Sequence, residues 1–412
     1  MDRSVPGRAV PNFDFGFDFG DDEFNDIEER TKNFVDSMKS AETKRKTSMW
    51  INKLCDHKEQ LGIKSPLLAL SKQVMNNIIC SFFIDARKED GGHFETSSMN
   101  NFFSVVKAYL KENRGWDLES EAEFQGSRDV KKAKLKLLKT EGKGNRPNRA
   151  EALTFEEEEA LFESGEFGFS NPTSLQRTVW YLTTLYFGHR GRDESRQLKW
   201  RDIELKKDDK DEEYLEYHER TTKTRTGEEA GGSRAFAPKA FKNHSDDKRC
   251  PVRAYKEFSA RRPDDMKNPD SPFYLAVNNK RKNDDGKWYM SAPLGKNTIG
   301  QFIKKSCGAA GITGRKTNHS VRKTCVKRAL DSGCPREYVA QLTGHKSVNS
   351  LENYADADVH IQKAMAMSVS TGASYAKTME STKHTSATSA TTGSTIIFNI
   401  SGCQNVNITN QH

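Results

Sequence analysis

The stretch TNHSVRKTCVKRALDSGCPREYVAQLTGHKSVNSLENYADAD, residues 317–358, constrains this chain more than any other part of it. Its pattern predicts helix, turn, helix and loop, with helices over Ser320–Ser332 and Pro335–Leu342 set apart by Gly333 and Pro335. His319 and Arg322 are three apart, so they share one helical face. Arg322 precedes His345 by 23 residues (345 − 322), and His345 precedes Tyr354 by nine (354 − 345). Two imidazoles, a guanidinium and a phenol are the groups that a metal-free attack on a phosphodiester needs.

That chemistry takes an in-line nucleophile, positive charge on the oxygens around phosphorus, and an acid for the departing oxygen. Tyr354 offers the nucleophile. A phenol keeps its proton near neutral pH, so a cationic surround or a base has to help remove it. Arg322 suits the clamp, because a planar fork donates to two oxygens and stays charged. His319 and His345 are able to orient the same oxygens or donate to them, and His319 is able to act as base. Singly these signals are weak, since HxxR pairs are common on surface helices and a Gly-His pair often just caps one. Their conjunction carries the reading.

Ahead of this stretch the chain divides by pattern. PNFDFGFDFGDDEFND alternates Phe with Gly and acids, and residues 1–29 read as a disordered acidic-aromatic tail. Residues 30–125 read as helical. Trp50, Leu54 and Leu61 mark an early helix, and Ser65-Pro66 is an N-cap and N1 pair for another. After it Leu70, Val74, Ile78 and Phe82 recur every four residues. Gly91-Gly92 ends that run, and Thr96-Ser97-Ser98 opens a helix bearing Phe102, Phe103, Val106, Tyr109 and Leu110. Residues 126–152 read as a basic linker whose Lys131, Lys132, Lys134, Lys136 and Lys139 are candidates to lie along a DNA backbone, with a merely solvated basic helix as the competing reading.

A second domain opens at TFEEEEALF, where Thr154 and Glu157 form a capping box. SLQRTVWYLTTLYFG reads as a helix, and LKWRDIEL, EYLEYHERTTKT and SRAFAPKAF as short strands, the last two paired. Helices return at Thr298–Ala309. The expected fold class is therefore α+β, mostly helical, with a small antiparallel sheet. From Ser368 the chain is Ser/Thr-rich, and IIFNISGCQNVNI could form a hairpin.

Charge placement says more than the net +8. Residues 1–29 hold nine acids against two arginines, whereas 128–149 hold nine Lys or Arg against Asp129 and Glu141. Seven cysteines without a CxxC pair indicate neither a zinc site nor a disulfide framework. With no signal peptide and no run near the ~20 apolar residues of a membrane span, a soluble nuclear or cytosolic protein is expected.

The stretch from about Leu153 to Ala364 resembles the catalytic domain of tyrosine recombinases, in which HxxR, GH and Tyr follow in this order. It is most similar to the Crypton transposon recombinases and their domesticated animal relatives. FGHRGRDESRQLKW, KRCPVRAYKEFSARRP, WYMSAPLGKNTIGQFIKKSCGAAGI, TNHSVRKT and LTGHKSVNSLENYA carry that likeness, as does RKEDGGHF nearer the N-terminus. The resemblance implies a helical core-binding domain over 30–125 and a catalytic domain over 153–366, with 367–412 as a tail. In YFGHRGRDESRQLKWRDI it implies a first catalytic arginine, Arg190, with Arg192 competing because the spacing to glutamate is one longer than the common pattern, and otherwise contacting DNA. It implies Lys223, in ERTTKTRTG, as the general acid, with Arg225 as runner-up.

It further implies strand transfer through a 3′-phosphotyrosine on Tyr354, with no metal, ATP or other cofactor. The partner would be double-stranded DNA, gripped by a homotetramer on two sites in the nucleus. Two other functions compete: a catalytically idle DNA-binding regulator domesticated from such an enzyme, and a type IB topoisomerase.

Overall fold

The computed structural model describes residues 21–144, 149–220, 234–279, 288–354, 359–372 and 374. The fold is α+β and mostly helical, in two compact units that meet along the chain between Asn148 and Arg149. No helix among the described residues is long and apolar enough to cross a membrane.

The first unit is all helix: α1 (Asp21–Met38), α2 (Ala41–Gln60), α3 (Lys72–Asp85), α4 (Thr96–Arg114) and α5 (Gln125–Thr140). Its core is aromatic. Phe82 and Phe102 stack at 4.2 Å, and Trp50 meets Phe102 edge-on at 5.6 Å, beside Leu54, Met75, Ile79 and Phe103. Helix α3 starts later than Ser65-Pro66 suggested. Pro66 leads into a 3-10 turn, Leu67–Ala69, and Leu70 is extended; the Ser71 hydroxyl then accepts from the Val74 amide.

The stretch read as a basic linker begins as helix α5 of this unit. Phe124 and Leu138 are fully buried, and Asn76 Oδ1 accepts from both the amide and the hydroxyl of Ser127, at 2.9 and 2.6 Å. Val130, Lys134 and Leu138 recur every four residues, a buried stripe in which the lysine contributes its stem.

The second unit opens with α6 (Phe155–Glu163), whose capping box is reciprocal: the Glu157 amide donates to Thr154 Oγ1 at 3.1 Å, and the Thr154 amide to Glu157 Oε2 at 3.0 Å. Helix α7 (Pro172–Phe187) is buried on nearly every side, and Thr178 and Thr183 satisfy their hydroxyls along the helix, on Ser174 O at 2.8 Å and Val179 O at 2.7 Å. After it come α8 (Asp193–Gln197), β1 (Ile203–Lys207), β2 (Glu213–Tyr217), β3 (Lys239–Phe241) and α9 (Pro251–Ala260).

The three strands form one antiparallel sheet in the order β1-β2-β3, so the expected pairing of the second and third strands is present and the first also pairs with β2. A second, two-stranded sheet of β4 (Leu275–Val277) and β5 (Tyr289–Pro293) has no counterpart in the sequence reading. Helices α10 (Lys296–Gly300), α11 (Phe302–Ala309), α12 (Asn318–Asp331) and α13 (Arg336–Thr343) follow, then a 3-10 turn at Val348–Tyr354 and α14 (Val359–Thr371).

Helices α9 and α12 and strand β3 pack on α7, closing a core that includes Trp180, Tyr181, Leu215, Phe258, Phe273 and Val321. Arg328 of α12 reaches the buried Glu158 of α6 at 2.5 Å, and Arg249 reaches it at 3.2 Å, which fixes α12 in depth and rotation. A small separate cluster of Val326, Val339, Ala340, Leu351 and Tyr354 joins α12, α13 and the 3-10 turn.

If α5 is structural, Leu138→Ala should destabilise the protein by about 2–5 kcal/mol, while Lys132→Ala on the exposed face should change it by less than about 0.5 kcal/mol. Chemical denaturation followed by circular dichroism measures both; equal effects would contradict the packing of α5.

Candidate active site

Two helices end at the same place. Helix α7 stops at Gly188 and α13 at Gly344, both left-handed at φ 61° and 66°. Their ends pack so closely that a Cβ on Gly188 would lie 2.9 Å from the Thr343 Cα. This juxtaposition brings Gly188-His189-Arg190 and Thr343-Gly344-His345 beside the first turns of α12, which carry His319 and Arg322.

Asn318 holds that start in register. Its amide donates to Gly191 O at 2.6 Å and Ile299 O at 2.7 Å, and its oxygen accepts from the Ile303 amide at 3.2 Å. Gly191 must lack a side chain, since a Cβ there would lie 2.6 Å from the Trp180 ring.

Arg322 is only 2% exposed. Its Nη1 donates to Gly188 O, and its Nη2 lies 3.2 Å from His345 Nε2. Tyr354 Oη is 3.3 Å from the same Nε2. The Tyr354 ring lies 5.3 Å from the His345 ring and 5.8 Å from the His319 ring. Its body belongs to the small apolar cluster while its hydroxyl faces the polar group. His319, Arg322, His345 and Tyr354 therefore converge.

Arg190 joins them electrostatically and is braced by Glu194, which accepts from its amide at 2.7 Å and from its guanidinium at 2.6 Å. Of the two competing arginines, Arg190 is the one whose charge bears on His319, Arg322 and His345. Arg192 turns to α10, with Nη2 3.4 Å from Asn297 Oδ1 and its stem against Gly300. Lys223 and Arg225 lie outside the described residues.

On α5, Lys132, Lys136 and Lys139 are exposed, and Lys131 lies 4.1 Å over the Phe103 ring. Lys134 does not share that exposure: it is buried and donates to Ile84 O at 3.0 Å, so the sequence reading of it as a backbone contact gives way to a structural one.

The electrostatics agree on one sign. Burial and then Arg322, Arg190, His319 and Arg234 hold His345 down at about 3. His319, which keeps an exposed surface, is lowered by partial burial and then by Arg322, Lys323, Arg190 and Arg149. Arg322 is itself lowered, by burial first, with Tyr354 opposing that shift. A site that disfavours every added proton on its histidines is one that an anion would relieve.

Several participants were not evident in the sequence. Arg234 is nearly buried and binds Glu219 at 2.8 and 3.2 Å, Leu342 O at 2.5 Å and Phe187 O at 3.4 Å, so it caps both converging helix ends. Thr343 accompanies His345 at 2.6 Å. His189, within a stretch that resembles a solvated turn, is fully buried 4.3 Å from the Tyr217 ring, and its two nitrogens have no hydrogen-bond partner among the described residues.

Solved structures similar to this chain include a complex of the Tn1549 transposon integrase with transposon right-end DNA, at 14% identity and a TM-score of 0.44 over 84% of this chain and 98% of that one. XerA recombinase (16%, TM-score 0.37, 82% and 95%) and a lambda integrase dimer bound to a core site (16%, TM-score 0.33, 75% and 95%) are others. A model for a domain of unknown function, DUF3504, matches residues 152–307, a span that contains Arg190 and stops short of His319. The uncharacterized protein KIAA1958 homolog of Mus musculus is 27% identical over 262 residues, and the uncharacterized protein KIAA1958 of Homo sapiens 26%. Each match covers 63% of this chain and 36% of the relative, so the chain spans little more than a third of those proteins.

His189 and His345 are both lowered from 6.5 to about 3, so between those values the unfolded chain binds protons that the folded one refuses. Stability should be full above about pH 6.5 and fall as the pH drops toward about 3. His189→Leu should flatten that acid limb, read as the change in urea midpoint between about pH 7.5 and about pH 4.5; an unchanged slope would contradict the buried neutral imidazole.

Proposed function

We propose that this chain is a tyrosine recombinase that cuts and rejoins duplex DNA through a covalent 3′-phosphotyrosine on Tyr354. The observation that carries the reading is the convergence on His345 Nε2 of the Tyr354 hydroxyl at 3.3 Å and the buried Arg322 guanidinium at 3.2 Å.

Arg190 and Arg322 would grip the non-bridging oxygens of one phosphate, two rigid forks spreading the charge that builds at phosphorus. Both are held before any DNA arrives: Arg190 by Glu194, Arg322 by the Gly188 carbonyl. His319 would complete the ring of groups around those oxygens, and His345 would stand between Arg322 and Tyr354. Tyr354 would bond to phosphorus as the 5′-oxygen leaves, protonated by Lys223 in the role the sequence resemblance gives it. A second 5′-hydroxyl would reverse the step. The bond energy stays in the phosphotyrosine, so this route draws on neither ATP nor a metal.

Duplex DNA is the proposed partner, with Lys131, Lys132, Lys136 and Lys139 supplying phosphate contacts and a tetramer on two sites as the working assembly. A Crypton ancestry and a nuclear location belong to the same proposal. One observation favours a second reading, a DNA-binding regulator that no longer cuts: Tyr354 is only 8% exposed, seated among Val326, Val339 and Leu351.

A pool of nicked duplexes of random sequence, incubated with full-length protein and resolved under denaturing conditions, separates the two. The enzyme reading expects a protein–DNA adduct that Tyr354→Phe abolishes while binding persists. Binding without an adduct from the wild-type chain would leave the regulator.

A further inference from the structure

One of the two His345 ring nitrogens is tied to a hydroxyl, and that tie fixes where the ring's proton sits. On one side Nδ1 lies 2.6 Å from Thr343 Oγ1. That hydroxyl is also 2.6 Å from Val339 O, one helical turn back. A carbonyl only accepts, and a hydroxyl has one proton, so Thr343 donates to Val339 and must accept from His345. The opposite arrangement would leave two oxygens 2.6 Å apart with no hydrogen between them. Nδ1 therefore carries the hydrogen, and the lone pair of the neutral ring is on Nε2. Tyr354 Oη lies 3.3 Å from that Nε2, while Arg322 Nη2 stands beside both nitrogens, 3.2 Å from Nε2 and 3.4 Å from Nδ1.

We infer that Thr343 is a positioning residue which locks His345 in the Nδ1–H tautomer, making Nε2 the acceptor of the Tyr354 proton. This rests on the phosphotyrosine reading and deepens it by naming the base. In the cutting step the phenolic O–H breaks as Oη bonds to phosphorus. The proton passes to Nε2, and the resulting imidazolium keeps its Nδ1–H on Thr343. The P–O5′ bond breaks with its electron pair on the leaving oxygen, which takes a proton from the acid proposed at Lys223. On rejoining, Nε2 returns its proton to the departing phenol oxygen.

His319 shares the ring of groups, but it meets Tyr354 through a tilted ring contact at 5.8 Å. The backbone reinforces the tautomer: Gly344, in its left-handed conformation, turns the chain within two residues so that His345 folds back on Thr343.

Five charged or titratable side chains face His345. They are Arg322 and His319 from α12, Arg190 after α7, and Arg234 ahead of β3, with Tyr354 of the 3-10 turn opposite Nε2. Glu194 and Glu219 stand behind Arg190 and Arg234. The ring is consequently neutral and ready to accept at neutral pH, and a phosphate bound between the arginines would strengthen it as a base.

The test reads the tautomer and the rate separately. Nitrogen-15 NMR of the full-length protein, with His345 assigned by His345→Gln, should show Nδ1 protonated and Nε2 bare. Thr343→Ser should keep that pattern, and Thr343→Val, of the same shape without the hydroxyl, should lose it. With nicked duplexes, wild type and Thr343→Ser should form adduct at a rate that is flat above about pH 7. Thr343→Val should be about 100-fold slower there and should recover about tenfold per pH unit as hydroxide replaces the base. A protonated Nε2 in the wild type, or a Thr343→Val loss that is equal at every pH, overturns the inference. The expected tautomer with no adduct from the wild type at any pH overturns DNA cutting, and proton transfer with it, while leaving the Thr343–His345 bond in place.

Discussion

A guanidinium buried in protein is expensive unless every face of it is answered, and Arg322 is the group around which the second unit is arranged. Its charge meets the Gly188 carbonyl on one side and the His345 and Tyr354 side chains on the other. None of these partners is a carboxylate. The charge is thus hydrogen-bonded without being neutralised, which is the condition for a cation that has to bind an anion later. Glu194 braces the neighbouring Arg190 from the far side, so rigidity there comes with partial neutralisation.

The carbonyl partners come from helix ends. Where α7 and α13 stop, their last carbonyls lack intrahelical donors and carry the negative end of the helix dipole. Arg322 answers Gly188, and Arg234 answers Phe187 and Leu342. One physical need, satisfying the ends of two helices that meet, therefore places two arginines beside the histidines. The glycines permit the meeting: a side chain at Gly188 would strike the Thr343 backbone.

The sequence carried the outline of this site because its ingredients are local. His319 and Arg322 share a helical face, Gly188 and Gly344 mark helix ends, and Thr154 with Glu157 announces a helix start; each is decided by a few adjacent residues. What escaped the sequence depended on distant partners or on disguise. The packing of helix α5 was hidden because five lysines interleave with its apolar residues and one of them, Lys134, buries its stem in the stripe. The β4–β5 pair was hidden because β4 is three residues long. Thr343, Arg234 and His189 are ordinary residue types whose roles exist only once the two helix ends meet. Between Arg190 and Arg192 the spacing left a choice that geometry narrows, since only Arg190 shares the field of the histidines. The lysine hairpin lies outside the described residues, as does most of each tail; α1 already runs through residues 21–29 of the stretch read as disordered, and α14 carries the chain to Thr371.

The central claim is that His319, Arg322, His345 and Arg190 enclose one anion site, and binding of a simple anion tests it without requiring catalysis or a DNA sequence. Imidazole titrations of His319 and His345 can be followed by NMR in the full-length protein as inorganic phosphate is added. The account predicts that both titration midpoints rise, with one shared apparent affinity, and that Arg322→Gln weakens that affinity for both. If phosphate leaves both midpoints in place, or moves them with unrelated affinities, the groups do not form a single site and the account is contradicted.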